Sequence, residues 1–363
     1  MPSLIRRATP GAIPSDVRDL MARFGLTVRE LLTTSNPKLS KGEALGHGRA
    51  LILHHLPARA LAAAITPAND GATPARGFIP ALLELAEREG LTSAALAHNG
   101  CPWATAGCGG EGGGCLAFSG HGGMGTVVAA ARGRRTLAML SNPEAYARAV
   151  LWSVARHYAA ARLAGETLAV RLRGTDEGPN HAGGWHGMPV HITSGEALSL
   201  RERYGLDVSP QGAAPITERL AANSGLNVYE YSKSPSRGDL GLIAQRAAGV
   251  DVTASFAADR PTACRDGLAA LREGFRLAVP VAIKKGAPIP SSVTISAGGE
   301  SVTVPTVDGD QTDHRYLEPH GVAVILRTKL SRGAGPVADL FSLRGHERPQ
   351  RLADGAVSLS WLC

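Results

Sequence analysis

Apolar residues fall into two kinds of pattern along this chain, and together they predict alternating helices and strands. Residues 75–91 and 142–165 place apolar side chains three or four positions apart, the spacing of an amphipathic helix. Asn142 and Gly165 bracket the second segment as its N-cap and C-cap. Shorter helical patterns follow Asp16 and occupy residues 193–204, 239–249 and 261–275.

Between these helices lie short runs that are apolar or β-branched on both faces, which is typical of buried parallel strands. The runs occupy residues 50–58, 167–174, 226–232, 250–257 and 277–285. Repeated helix–strand units predict an α/β fold, and specifically a parallel (β/α) barrel or partial barrel of the TIM type. Residues 290–304 predict a β-hairpin inserted in that core.

The same pattern predicts the domain organisation. Residues 1–34 are expected to form a tail and a short helix, residues 35–330 the barrel-like catalytic domain, and residues 331–363 a Gly/Arg-rich peripheral segment. No run of about 18 apolar residues is present, so we expect no membrane span. The first residues lack the apolar core of a secretion signal, and we therefore expect a cytoplasmic protein of a bacterial host.

Charge points to a polyanionic partner. The 363 residues carry a net charge of +7, and phosphates attract Lys and Arg regardless of sequence. We therefore expect nucleic acid, and DNA in particular, as the partner. The alternative is compositional drift in a GC-rich genome, which also enriches Gly and Arg. Nothing in the sequence indicates an oligomeric state.

Three of the five cysteines lie close together in a glycine-rich segment, as Cys101-x6-Cys108-x6-Cys115, and His121 follows. Such clustering favours metal binding over disulfides in a reducing compartment. Three Cys and one His would complete a tetrahedral zinc site. Three Cys alone would leave one iron of a [4Fe–4S] cluster open to a cofactor or substrate. Cysteines that bind nothing, and a redox disulfide, are the remaining alternatives.

Polar residues follow several predicted strands, where barrel enzymes carry their sites. Asp176, after the strand VRLRG, is predicted to act as a nucleophile or base or to hold a ligand hydroxyl, with a turn cap as the alternative. His47, His54 and His55 lie near or within the first predicted strand, and their role as structural residues or ligands stays open.

The strand VYEYSKSPSR and its successors supply candidate binding residues. Lys233 and Arg237 are predicted to bind a phosphate or carboxylate, unless they form a solvated basic turn. Tyr231 shares a strand face with Tyr229 and would stack on a base or pack in the core. Ser255 and Arg260, at and after the strand VTASF, complete the predicted substrate or cofactor site.

The acidic segment VDGDQTDHR contributes Asp308 as a binding residue and Asp310 as a catalytic residue. The aspartates of this segment are suitable ligands for Mg²⁺ or Ca²⁺, but they do not have the spacing of an EF-hand loop. A turn stabilised by aspartate side chains, or an Asp–Arg pair near Asp313 and Arg315, explains it equally well, and no second metal is assigned. P-loop, nucleophile-elbow and HExxH motifs are absent from the sequence.

Over residues 35–330 the chain resembles an uncharacterised family of actinobacterial phages and mobile elements that is known by a phage gene-product number. The resemblance rests on motifs in the family's order: SNPKLSKGEALGHGRALIL, CPWATAGC…CLAFSGHGG, VRLRGTDEG, VYEYSKSPSR, VTASF, VAIKK and VDGDQTDHR. The chain departs from the family in the longer gap between Cys108 and Cys115, and in Arg173 and Gly174, where the family has an Asn-containing turn.

The family's layout is similar to phage radical-SAM-like barrels and, more distantly, to phage 7-deazaguanine DNA transglycosylases. The first resemblance implies a DNA-modifying enzyme whose [4Fe–4S] cluster binds S-adenosylmethionine. The second implies a structural Zn²⁺ and base exchange by aspartates. A third hypothesis is a non-catalytic DNA-binding protein with a structural zinc.

Overall fold

A computed structural model of the chain divides into two compact units. The first holds the described residues up to Tyr229 together with Ala248–Val250, and the second holds Glu230–Ala247 and the residues from Asp251 onwards. The structure describes residues 13–34, 36–55, 79–96, 126–174, 189–209, 214–238, 241–257, 260–281, 283, 286, 288–327, 348–351 and 357–362.

Parallel strands form the centre of the first unit. β1 (Arg49–Ile52) pairs with β2 (Leu168–Arg171), and β2 pairs with the first residues of β5 (Leu226–Ser232). A short antiparallel pair joins β3 (Pro189–Val190) to β4 (Ala214–Pro215). The helices of this unit are α1 (Ser15–Arg23), α2 (Pro37–Ala44), α3 (Ile79–Arg88), α4 (Ser93–Leu96), α5 (Thr126–Ser141), α6 (Pro143–Leu163), α7 (Ser194–Tyr204) and α8 (Ile216–Ala221), with a 3-10 turn at Val28–Glu30.

Helix α6 is the main packing element of the first unit. The Asn142 side chain accepts a hydrogen bond from the Ala145 amide at 3.0 Å, and Gly165 follows the helix at a φ of 72°, as the sequence predicts. Most of the helix is buried, including Trp152 and Tyr146. Helix α6 therefore fixes the neighbouring strands and helices around an apolar core.

The second unit has a mostly parallel sheet. β6 (Asp251–Ser255), β7 (Arg276–Val281), β10 (Ala323–Arg327) and β9 (Glu300–Asp308) lie side by side in that order and are all parallel. Their carboxyl ends therefore share one edge of the sheet. Helices α9 (Leu242–Ala247) and α10 (Ala263–Arg272) and a 3-10 turn at Arg315–Leu317 complete the core of this unit.

An antiparallel hairpin confirms the prediction at 290–304. β8 (Ser292–Ala297) and β9 are joined by Gly298 and Gly299, both at positive φ, which suits a two-residue hairpin turn. β9 continues to Asp308 because its last residues pair with β10. Beyond β8 lie β12 (Val357–Leu362) and β11 (Arg348–Arg351), at the edge of the sheet.

The α/β class with mostly parallel strands is thus confirmed, and most predicted elements are present, although several strands are shorter than predicted. β5 occupies the predicted residues, whereas β1 ends at Ile52 and β7 at Val281. Among the residues described, no helix combines the length and apolarity needed to cross a bilayer.

Candidate functional site

The cysteine-rich segment and the predicted catalytic aspartate after β2 lie outside the described residues. These positions are Cys101, Cys108, Cys115, His121 and Asp176. The metal centre and the role of the aspartate therefore stay predictions. Within the described part of the chain, no three His, Cys, Asp or Glu side chains are grouped to hold a metal ion.

One cysteine, Cys264, is described. It lies in the first turn of α10, is 1% exposed and is disulfide-bonded. The other cysteines of the chain are outside the described residues.

A narrow cleft opens in the second unit at the carboxyl ends of β5 and β6, and we call it the β5–β6 cleft. Its volume is about 20 Å³. Apolar side chains of α9, α10 and β7 form part of the wall, including Leu242 and Leu277. Its polar lining residues are Ser232, Lys233, Ser234, Ser255, Arg260 and Asp266. Three predicted binding residues, Lys233, Ser255 and Arg260, therefore meet in one cleft.

The segment after β5 is held in a tight turn by its own hydroxyl groups. The Ser232 hydroxyl donates to Ser234 Oγ at 2.8 Å and accepts from the Ser234 amide at 3.1 Å. The Leu242 amide then donates to the Pro235 carbonyl at 3.1 Å, which folds the segment back onto α9. Such local bonds compete with continued strand pairing, so the strand ends here and Lys233 is placed at the cleft.

Among the described residues that line it, the cleft has two cationic side chains and one carboxylate. Lys233 is 9% exposed, and Arg260 Nη1 donates to the Lys233 carbonyl at 2.7 Å. Asp266 Oδ2 lies 4.0 Å from Arg260 Nη1 and accepts from the Thr262 hydroxyl at 2.6 Å. In this partly desolvated space, the balance of charges among the described lining residues favours an anionic group.

Two other predicted binding residues lie elsewhere in the second unit. The Arg237 side chain is 86% exposed and lies 3.7 Å from Glu273, outside the lining of the cleft. Tyr231 is 8% exposed and packs with Val322 and Val324 in an apolar cluster. Its position matches the core-packing alternative rather than a stacking platform.

The acidic segment after β9 forms an ion-pair network with β10. Arg327 Nη1 donates to both carboxylate oxygens of Asp308, at 2.8 and 2.9 Å, and the Arg327 amide donates to Asp310 Oδ2 at 3.0 Å. Hydrogen bonding to Asp308 raises the pKa of Arg327. The Asp310 amide donates to Asp308 Oδ1 at 2.9 Å, so the segment also forms an aspartate-stabilised turn.

This geometry matches the alternative of an aspartate-stabilised turn, whereas the Asp–Arg pair of the segment joins Asp308 to Arg327 and not the neighbourhood of Asp313 and Arg315 that the sequence indicated. Arg315, the arginine considered from the sequence, is fully buried and bonds instead to Glu318 and to the Gly309 carbonyl. Asp308 and Asp310 end or follow β9 at the same sheet edge as the β5–β6 cleft, but they do not line it. The predicted binding residues Lys233, Ser255 and Arg260 therefore lie together in the cleft, whereas Asp308 and Asp310 lie in a separate cluster.

The first unit holds a buried polar pair that sequence reasoning did not identify. His55 Nε2 and the Tyr146 hydroxyl lie 2.9 Å apart, with 3% and 0% exposure. His55 follows β1, and Tyr146 is in the first turns of α6. An imidazole and a phenol at this distance can share a proton. A histidine after an apolar strand was the available signal, but its partner lies 91 residues away in sequence.

Comparisons with known proteins give no identity for the chain. No protein-family model, no curated protein and no solved structure matches it.

Proposed function

We propose that this protein is a DNA-modifying enzyme that holds a phosphate group of its substrate in the β5–β6 cleft. The observation that carries the proposal is the meeting of Lys233 and Arg260 in a cleft at the carboxyl ends of parallel strands. Substrates of open and closed parallel α/β proteins bind at this edge. The net charge of +7 supports a polyanionic substrate.

The size of the cleft limits what enters it. A cavity of about 10–15 Å³ holds one water molecule, and the cleft measures about 20 Å³. It therefore takes a phosphate oxygen or a carboxylate edge rather than a whole base. In this proposal Lys233 and Arg260 anchor the backbone, and the base that is modified lies beyond the cleft.

The chemistry belongs, in this proposal, to the centre predicted at Cys101, Cys108, Cys115 and His121. A [4Fe–4S] cluster would bind S-adenosylmethionine, whereas Zn²⁺ would be structural and leave base exchange to Asp176. Thiolate and imidazole ligands suit both centres. Iron and sulfide with visible absorbance after anaerobic purification would support the cluster, and a colourless protein with bound zinc would support base exchange.

A (β/α) barrel remains part of the proposal. Its support is the common direction of β6, β7, β10 and β9, with helix α10 connecting β6 to β7. In a barrel, the carboxyl ends of all strands surround one site.

Replacement of Arg260 tests whether the β5–β6 cleft contacts the phosphate backbone of DNA. Arg260→Gln is expected to weaken binding of a fluorescein-labelled DNA duplex by about tenfold at low salt, because one charged contact to phosphate is lost. The slope of log affinity against log salt should fall by about one. Fluorescence anisotropy measures both.

Arg265→Gln is the matched control, because Arg265 lies on α10 shortly after Arg260 in the sequence, is 73% exposed and does not line the cleft. Circular dichroism verifies that both variants fold. Equal effects of the two substitutions would show that the cleft does not contact DNA.

A further inference from the structure

Among the described residues that line the β5–β6 cleft, one carboxylate, that of Asp266, lies beside the two cations. Asp266 Oδ2 is 4.0 Å from Arg260 Nη1, and Arg260 Nη1 also donates to the Lys233 carbonyl at 2.7 Å. The side chains of Asp266 and Arg260 are 25% and 22% exposed, so water screens their charges only in part. A ligand in the cleft therefore meets the negative charge as well as the positive ones.

The start of helix α10 fixes the position of this carboxylate. Thr262 is the N-cap residue, but its hydroxyl caps no helix amide. It donates instead to Asp266 Oδ2 at 2.6 Å, and the Asp266 amide donates to the Thr262 carbonyl at 2.8 Å. Two hydrogen bonds between the same two residues therefore hold the carboxylate at the cleft.

A further arginine approaches Asp266 without lining the cleft. Arg265 Nε lies 3.6 Å from Asp266 Oδ1, and the Arg265 side chain is 73% exposed. An ion pair with so exposed a partner contributes little, because water and salt screen it. The negative charge of Asp266 therefore still acts on a ligand in the cleft.

The charges of the described lining residues balance to one positive charge. Lys233 and Arg260 contribute two positive charges, and Asp266 contributes one negative charge. Each phosphodiester of a nucleic acid carries one negative charge, which matches this balance. A phosphomonoester carries a charge of about −1.5 to −2 at pH 7, and the oxygen that enters the cleft shares that larger charge. Asp266 therefore repels a monoester more strongly than a diester.

We propose that Asp266 makes the β5–β6 cleft selective for an internal phosphodiester over a phosphomonoester. The substrate is then a nucleic-acid strand held at an internal linkage, rather than a free nucleotide or a phosphorylated strand end. This inference rests on the proposed function, because it takes phosphate as the ligand of the cleft. Asp266 acts by repelling the wrong ligand and takes no part in the chemistry.

Two small phosphate esters test the selectivity directly. Dimethyl phosphate is a diester and methyl phosphate is a monoester, and NMR titrations of the full chain at constant ionic strength give the affinity of each. The amide of Gly267 reports binding, because Gly267 lines the cleft. Wild type is expected to bind dimethyl phosphate about tenfold more tightly than methyl phosphate, because the second charge of the monoester is repelled by Asp266.

Asp266→Asn is expected to abolish this preference, chiefly by strengthening the binding of methyl phosphate. Asparagine keeps an oxygen that can accept the hydrogen bond from Thr262, so the change removes charge and little else. Glu273→Gln is the matched control, because Glu273 follows the other end of α10 and does not line the cleft. It should keep the wild-type preference. Thermal unfolding verifies the fold, and Asp266→Ser provides a second uncharged variant.

Equal binding of the two esters by wild type, or tighter binding of methyl phosphate, would overturn the inference and leave the proposed function intact. A preference that persists in both uncharged variants would also overturn it. A different result, in which neither ester shifts the Gly267 amide, would remove phosphate as the ligand of the cleft. It would therefore contradict the proposed function as well as the selectivity.

Discussion

At the residue scale, Arg276 is a charged side chain with no exposed surface. Its Nη1 and Nη2 donate to the two carboxylate oxygens of Asp251 at 2.7 and 2.9 Å, and its Nε donates to the Glu318 carbonyl at 3.0 Å. Burial lowers the pKa of Arg276 and raises that of Asp251. For both side chains, the cost of losing hydration thus outweighs the attraction between the two charges. We therefore expect the Arg276–Asp251 pair to contribute more to the alignment of β6 with β7 than to the stability of the fold.

Removing one partner of this pair is therefore expected to lower the free energy of unfolding more than replacing both partners with apolar residues. Asp251→Ala should lower the free energy of unfolding by about 3 kcal/mol, because it leaves the Arg276 guanidinium buried without a counterion. The double variant Asp251→Leu/Arg276→Met should lose much less, since both desolvated charges are removed. Urea denaturation measures both, and equal losses in the two variants would contradict this account.

The sequence alone could not predict which arginine pairs with which aspartate. The acidic segment was recognised, and an Asp–Arg pair was considered near Arg315. The structure instead pairs Asp308 with Arg327, 19 positions later, because the parallel register sets Asp308 beside Ile325. Local sequence contains no information on which strands are neighbours. The convergence of Lys233 with Arg260 was expected only because both follow strands.

At the element scale, prediction succeeded where a local signal defines the boundary. Asn142 caps α6, and Thr193 and Glu196 form a reciprocal capping box at the start of α7. Strand ends were predicted less well, because where a strand stops depends on its neighbours. β11 and β12 were not predicted at all. Their residues lie in a Gly/Arg-rich segment, and β12 is a strand through its pairing with β8.

The cap of α6 gives a quantitative prediction at this scale. Asn142→Ala should lower the free energy of unfolding by about 1 kcal/mol, because the Ala145 amide loses its acceptor. Asn142→Ser keeps a capping oxygen and should restore most of the loss. Urea denaturation of the three proteins tests this. Wild-type stability in the alanine variant would show that packing alone fixes the start of the helix.

At the scale of the whole molecule, the alternation of helices and strands was sufficient to predict the α/β class. The order β6-β7-β10-β9-β8 was not predictable, because it depends on pairings between strands distant in sequence. The site was predicted in part: polar residues at strand ends led to Lys233, Ser255 and Arg260, which the structure brings together in one cleft.

The central claim is that this chain modifies DNA, and mass spectrometry of nucleosides tests it most directly. DNA from cells that express the wild-type protein anaerobically should contain a nucleoside that is absent when Cys101, Cys108 and Cys115 are all replaced by Ser. Arg260→Gln should reduce its amount. Identical nucleoside profiles for the wild type and the serine variant would contradict the account and favour a DNA-binding protein without catalytic activity.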